Sequence, residues 1–175
     1  MTAIVIYIEI SILVLKKCGP ITTNSVNKMK TVFDKETRDE LATRINSVDE
    51  NKTPKWGKMN AYQMLKHCYL SDELYLGKKT YDRIFLGRLF GKIALKNILK
   101  EGTPFPKNAK TSRHFIVTGN GDAEAEKTKL IALINKYENF SQPFVVHWFF
   151  GKMTKEQIGA LSYKHLDHHL QQFGS

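Results

Sequence analysis

The chain has 175 residues, 27 lysines and arginines against 17 acidic residues, and a formal net charge of +10. With 42% hydrophobic and 25% charged residues it has the composition of a globular domain, which excludes collagen-like, low-complexity and largely disordered chains. Two cysteines, Cys18 and Cys68, cannot build a disulfide framework, so the cytoplasm is the expected compartment.

Residues 3–15 are nearly all apolar and β-branched. The run is shorter than the roughly 20 residues that span a bilayer. It contains Glu9, and Lys16 and Lys17 follow it instead of preceding it, the wrong order for a signal peptide. Met29 opens a more ordinary sequence. We therefore expect residues 1–28 to be an N-terminal extension (a misplaced start, an added strand or a weak membrane anchor) and residues 29–175 to be the folded domain.

From Asp34 the pattern is helical. Asp34 is placed to cap a helix through about Val48, with Leu41, Ile45 and Val48 on one stripe. Pro54 and Gly57 mark a loop. Asn60 with Gln63 reads as a capping box that opens a helix from Ala61 to about Leu76, with Gly77 as its stop. Residues 81–100 form a third helical pattern containing Phe85, Leu89, Ile93 and Leu99, weakened by Gly87 and Gly91. Gly102, Pro104, Pro106, Gly119 and Gly121 make residues 102–121 a long loop, a length typical of functional or mobile segments. Asp122 caps a helix from about Ala123 to Glu138, with Leu130, Ile131, Leu133, Ile134 and Tyr137 inward. An aromatic stretch, residues 144–151, follows. Thr154 with Gln157 is a second capping box and opens a last helix to about Phe173. Sustained period-two alternation occurs nowhere after residue 28. The expected architecture is all-α, a four-helix bundle with an extra N-terminal apolar segment.

The histidines are His67, His114, His147, His165, His168 and His169. At about 100° per residue, Ile158, Ser162, Leu166, His169 and Phe173 share one arc of the last helix, with His165 at its edge. His165 and His169 are four apart, one turn stacked on the next. His168 is rotated to the rim and is less suited as a ligand. On the second helix His67 falls with Met64, Ser71 and Leu74. Burying three imidazoles without partners is costly, and one shared cation satisfies all of them. Three histidines suit zinc, nickel, copper or iron(II) and leave positions open, as catalytic sites do. Hydrogen-bonded core histidines, or a polar helix end facing the dipole, are the alternatives that spacing leaves open.

Residues 78–113 hold ten basic residues, Lys78, Lys79, Arg83, Arg88, Lys92, Lys96, Lys100, Lys107, Lys110 and Arg113, against Asp82 and Glu101. Arg88, Lys92 and Lys96 form a row beside Phe85, Leu89 and Ile93. A non-catalytic binding module using this face on nucleic acid or an anionic membrane is the alternative function. We read it as a solvated lysine-rich face and expect neither nucleic acid nor membrane as a partner.

The run Trp56-Gly-Lys-Met-Asn-Ala-Tyr-Gln-Met-Leu-Lys-His67 resembles the second-helix motif of the DinB/YfiT-like superfamily. His147-Trp-Phe-Phe-Gly-Lys-Met-Thr154, then Tyr163-Lys-His165-Leu-Asp-His-His169-Leu-Gln-Gln-Phe173, resembles its last-helix motif. The similarity is greatest to a branch catalogued as a domain of unknown function and covers residues 29–175. The resemblance implies a homodimeric four-helix bundle with a divalent metal held by His67, His165 and His169, the same three that the facing argument selects. Zinc or nickel is expected, with iron or manganese as alternatives. It also implies a metal-dependent enzyme, of thiol-dependent transferase or hydrolase type, acting on a small molecule such as a low-molecular-weight thiol. Trp148 stands where relatives commonly have proline, which leaves His147 as a residue that lines the site or packs. His168, Tyr62, Tyr163 and Ser162 are the remaining candidates for lining or positioning. No general base stands out. Cys68, rotated about 100° from His67, reads as a small buried hydrophobe.

Overall fold

The capping signals translate directly into helix starts. In the computed structural model, which describes residues 29–109 and 111–175, α1 spans Lys35–Asn46 and α2 spans Ala61–Tyr75. The expected N-terminal extension and Lys110 lie outside the described residues. Asn60 and Gln63 form the complete capping box of α2, each side chain bonding the other's backbone N–H. Asp34 takes the N-cap position of α1 without a side-chain cap bond. Arg38 instead ties the entry segment down by donating to the carbonyls of Val32 and Phe33.

Helix α3 spans Phe85–Ile98, and α4 spans Ala123–Ile134. Asp122 caps α4 by accepting from the Ala125 N–H at 2.9 Å. A 3₁₀ turn, Asn135–Asn139, prolongs α4, and a second one, Arg113–Phe115, interrupts the long loop after α3. Helix α5, Lys155–Phe173, opens on the Thr154–Gln157 capping box and ends at Gly174, whose φ of +78° only glycine adopts freely.

The protein is mostly helical but not all-α. Strands β1, Phe144–His147, and β2, Gly151–Thr154, form an antiparallel hairpin with His147 opposite Gly151. The sequence expectation of no strand fails here for a physical reason. Each strand is four residues long, and β1 carries apolar side chains on both faces: Val145 is buried while Phe144 and Val146 are exposed. A pattern that short and that uniformly apolar shows no alternation.

Helix α2 packs on α4 and α5, and α1 packs on the same two helices. The core between them is aliphatic and fully buried, with Leu41, Ile45, Met64, Leu65, Leu130, Leu133, Ile134, Ile158, Leu161 and Leu166. Each such side chain contributes about 1.5–3 kcal/mol relative to exposure.

Helix α3 behaves otherwise. It lies against the hairpin, and its buried residues are Gly87, Gly91 and Leu95. A Cβ at Gly91 would stand 2.1 Å from the Phe149 carbonyl oxygen, and one at Gly87 would stand 2.6 Å from it. The two glycines that weaken the helical pattern are therefore its contact points. Its large apolar residues, expected to join the core, point to solvent: Phe85 is 72% exposed and Ile93 61%. Among the described residues no helix is long and apolar enough to cross a membrane.

Candidate metal centre

His67 projects from the second turn of α2, and His165 and His169 from adjacent turns of α5. All three are buried, and one ring nitrogen from each lies within 4.8 Å of the other two. The His67 Nδ1 is 2.8 Å from the Phe115 carbonyl oxygen, so it carries the proton and donates. The His169 Nδ1 stands 2.9 Å from the Gln172 Oε1. The Gln172 amide is itself oriented, because its Nε2 donates to the Trp56 carbonyl at 2.5 Å. Its Oε1 therefore faces His169 and accepts a hydrogen bond from that ring's Nδ1–H. In both histidines the Nε2 lone pair is left to face the cluster. Such outer acceptors are what fix the tautomer of metal-binding histidines.

The Nε2 atoms of His67 and His165 are 3.2 Å apart. Two nitrogens on one tetrahedral zinc, each about 2.0–2.1 Å from the ion, lie about 3.3 Å apart. The donor set and this separation fit a divalent metal. Burial lowers the pKa of all three rings. It takes His169 to about 3, and for His165 the neighbouring imidazoles add to the effect. All three are thus neutral near pH 7, the form that donates a lone pair. Among the described residues the buried Nδ1 of His165 has no hydrogen-bond partner, an orphaned polar atom beside the cluster.

The cluster sits on the wall of a cleft of about 1780 Å³. Aromatic side chains dominate the lining near it: Trp56, Tyr81, Phe105, Phe115 and Trp148. Phe105, from the long loop, meets the His165 ring edge-on at 5.6 Å. His168 also lines the cleft, between Trp56 and Phe105, with its ring 5.3 Å from each.

His147 closes the hairpin. Its Nδ1 accepts from the backbone N–H groups of Phe149 and Phe150 at 3.0 and 3.1 Å. That fixes the proton on Nε2, on a ring that lines the cleft and stacks on Phe150. Burial pushes its pKa down to about 3.

The other positioning candidates do not line the cleft. Tyr62 packs against Gly121 and accepts from Lys66 at 2.9 Å. Tyr163 is half-buried next to Lys30. Ser162 is buried in the core, donating to the Asp72 Oδ1 at 2.5 Å. Tyr137 donates to the same oxygen at 2.6 Å, while the buried Oδ2 has no partner among the described residues. Burial pushes the Asp72 pKa up to about 7 against the pull of those two hydrogen bonds. Cys68 is buried against Met64 and its thiol pKa is raised by burial.

Sequence reasoning missed Gln172, the Phe115 carbonyl and Asp72. Gln172 had a signal, being three residues after His169 on one helix face. The Phe115 carbonyl had none, because a backbone acceptor from a distant loop leaves no mark in side-chain spacing.

Fold and site together define a mostly helical protein with a candidate three-histidine metal centre. Residues 27–175 match the model of a family described as a protein of unknown function (DUF1569), and the chain belongs to that family. No curated protein and no solved structure matches it.

Proposed function

We propose that this chain is a metal-dependent enzyme of the DinB/YfiT-like kind, a four-helix bundle of α1, α2, α4 and α5 whose His67, His165 and His169 hold one divalent metal, zinc or nickel. The observation that carries this reading is the cluster itself. Three buried neutral imidazoles converge, and two of them are pinned by acceptors on the far side of the ring. The placement of one ligand on α2 and two on α5 also supports the DinB-like reading.

A metal bound there supplies Lewis acidity that lowers the pKa of a thiol or water presented to it. The chain's own residues do the rest. Phe115 and Gln172 hold two ligand rings in one tautomer, and the aromatic lining takes the apolar part of a small substrate. His147 presents a fixed Nε2–H donor at the cleft surface and, with its pKa at about 3, orients by hydrogen bonding instead of carrying charge. With three protein ligands the set leaves positions for substrate, which favours catalysis over a purely structural ion. A thiol-dependent transfer or a hydrolysis fits this arrangement.

Elemental analysis of the purified protein beside its His67→Ala and His165→Ala variants tests the centre. Metal in the wild type and its loss in both variants support the reading; equal metal content in all three refutes it. Assay of thiol-dependent and hydrolytic turnover, with and without chelator, tests the enzyme claim separately.

A further inference from the structure

Of the nine large hydrophobic residues that stand exposed among the described residues, six lie between Ile84 and Ile93. Counted at about 100° per residue, Gly87, Gly91 and Leu95 face the hairpin. Phe85, Leu86, Leu89, Phe90 and Ile93 fan across the opposite side, straight into solvent. Arg88, Lys92 and Lys96 run along one flank of that fan, all exposed. From Arg83 through Lys100 the chain has five basic residues and no acid. The helix is held by its inner face, where the glycines admit the Phe149 backbone, and at its flank the exposed Lys92 reaches the Lys152 carbonyl with one of its three N–H donors.

We infer that α3 is an interfacial helix that seats the domain on an anionic lipid surface. Phe85, Leu86, Leu89, Phe90 and Ile93 enter the headgroup–acyl boundary, and Arg88, Lys92 and Lys96 meet the lipid phosphates. A strongly two-sided helix with basic residues flanking Phe and Leu has the composition this mode of binding requires. Charge decides against the other occupants. A second copy docked through the same face would set the basic row against its own like, with no carboxylate between residues 83 and 100 to answer it. A nucleic acid would use the row and leave the five apolar side chains in water. An anionic bilayer supplies both the apolar phase and the missing sign. The seat and the cleft share one element, since Ala94 and Ile98 on the inner side of α3 line the cleft wall. The solvated-face expectation explains the lysines but not the apolar fan beside them.

Flotation of the full chain with phosphatidylcholine vesicles, with and without about a third phosphatidylserine, tests the inference. We expect the protein to float with the phosphatidylserine vesicles at low salt, to stay behind with phosphatidylcholine alone, and to be released at high salt. Leu89→Glu/Ile93→Glu and Arg88→Glu/Lys96→Glu change only exposed positions, so circular dichroism should match the wild type. Each pair should cut vesicle partitioning at least about tenfold, given about fivefold for every basic charge removed near the surface. No flotation at low salt overturns the inference. So does flotation that survives both variant pairs, or a dimer in analytical ultracentrifugation that Leu89→Glu/Ile93→Glu splits.

Discussion

His67 and His165 meet Nε2 to Nε2 at 3.2 Å, while the opposite nitrogen of His67 is committed to the Phe115 carbonyl. With its proton on Nδ1, His67 turns a lone pair toward His165. Two lone pairs at that distance repel, so the pair needs either a proton or a cation between the rings. A proton serves two nitrogens; a metal ion serves these two and His169 as well. Added zinc or nickel should therefore stabilise the fold, by about 2.7 kcal/mol at a hundredfold excess over Kd. His169→Ala should abolish the gain. Thermal melts with chelator and with added metal measure it, and identical melts would remove the metal centre.

Gln172 is expected to act at one remove. Its Oε1 accepts from His169 and its Nε2 donates to Trp56. Gln172→Ala should weaken metal affinity about 10–100-fold without changing the number of ions bound. Gln172→Glu keeps an acceptor and should recover most of the loss. Competition against a chromophoric chelator reads both. Unchanged affinity in Gln172→Ala would show that the ring needs no such anchor.

The contact between α3 and the hairpin gives a test in which two effects compete. Gly91→Ala should gain about 1 kcal/mol from helix propensity. Against this, the new methyl meets the Phe149 carbonyl oxygen at 2.1 Å, a backbone atom that cannot rotate away. Overpacking of this kind costs about 1–3 kcal/mol or more, so the variant should be less stable than the wild type. Denaturant titration decides the sign.

Stability should fall steeply in acid. His147 and His169 are held at about 3, and His67 and His165 are also lowered. The unfolded chain takes up protons near pH 6.5 that the folded one refuses, so these four contribute fully above about 6.5 and lose ground as pH falls toward 3. Asp72, raised to about 7, works the other way. Its folded form keeps a proton that the unfolded carboxyl releases near 4, so its contribution is full below about 4 and fades as pH climbs through 7. Four groups outweigh one between about 4 and 6.5. Metal-free protein should melt lower at each step from pH 7 to pH 5, and Asp72→Asn should make that loss steeper. A flat profile would show that the buried rings are not held neutral.

The helices, and the inward facing of His67, His165 and His169, were legible because each rests on short-range spacing within one element. Asn60 with Gln63 and Thr154 with Gln157 mark two helix starts within four residues each, and the turn between His165 and His169 is one helical repeat. What stayed hidden depends on partners far along the chain. The hairpin needed knowledge that Val145 and Met153 turn inward together. The outward turn of Phe85, Leu89 and Ile93 follows from Gly87 and Gly91 being the face that fits Phe149, which periodicity alone scores as apolar stripe facing core. Asp72 carries no local signal, because its partners Tyr137 and Ser162 lie 65 and 90 residues further along the chain.

The three imidazoles belong to residues up to 102 positions apart, and His67 and His165, which touch, are separated by 98. During synthesis His67 is therefore made 98 residues before the first imidazole of α5 can reach it. An ion held by all three rings would report long-range closure: only a chain whose α5 has docked on α2 brings the three donors together.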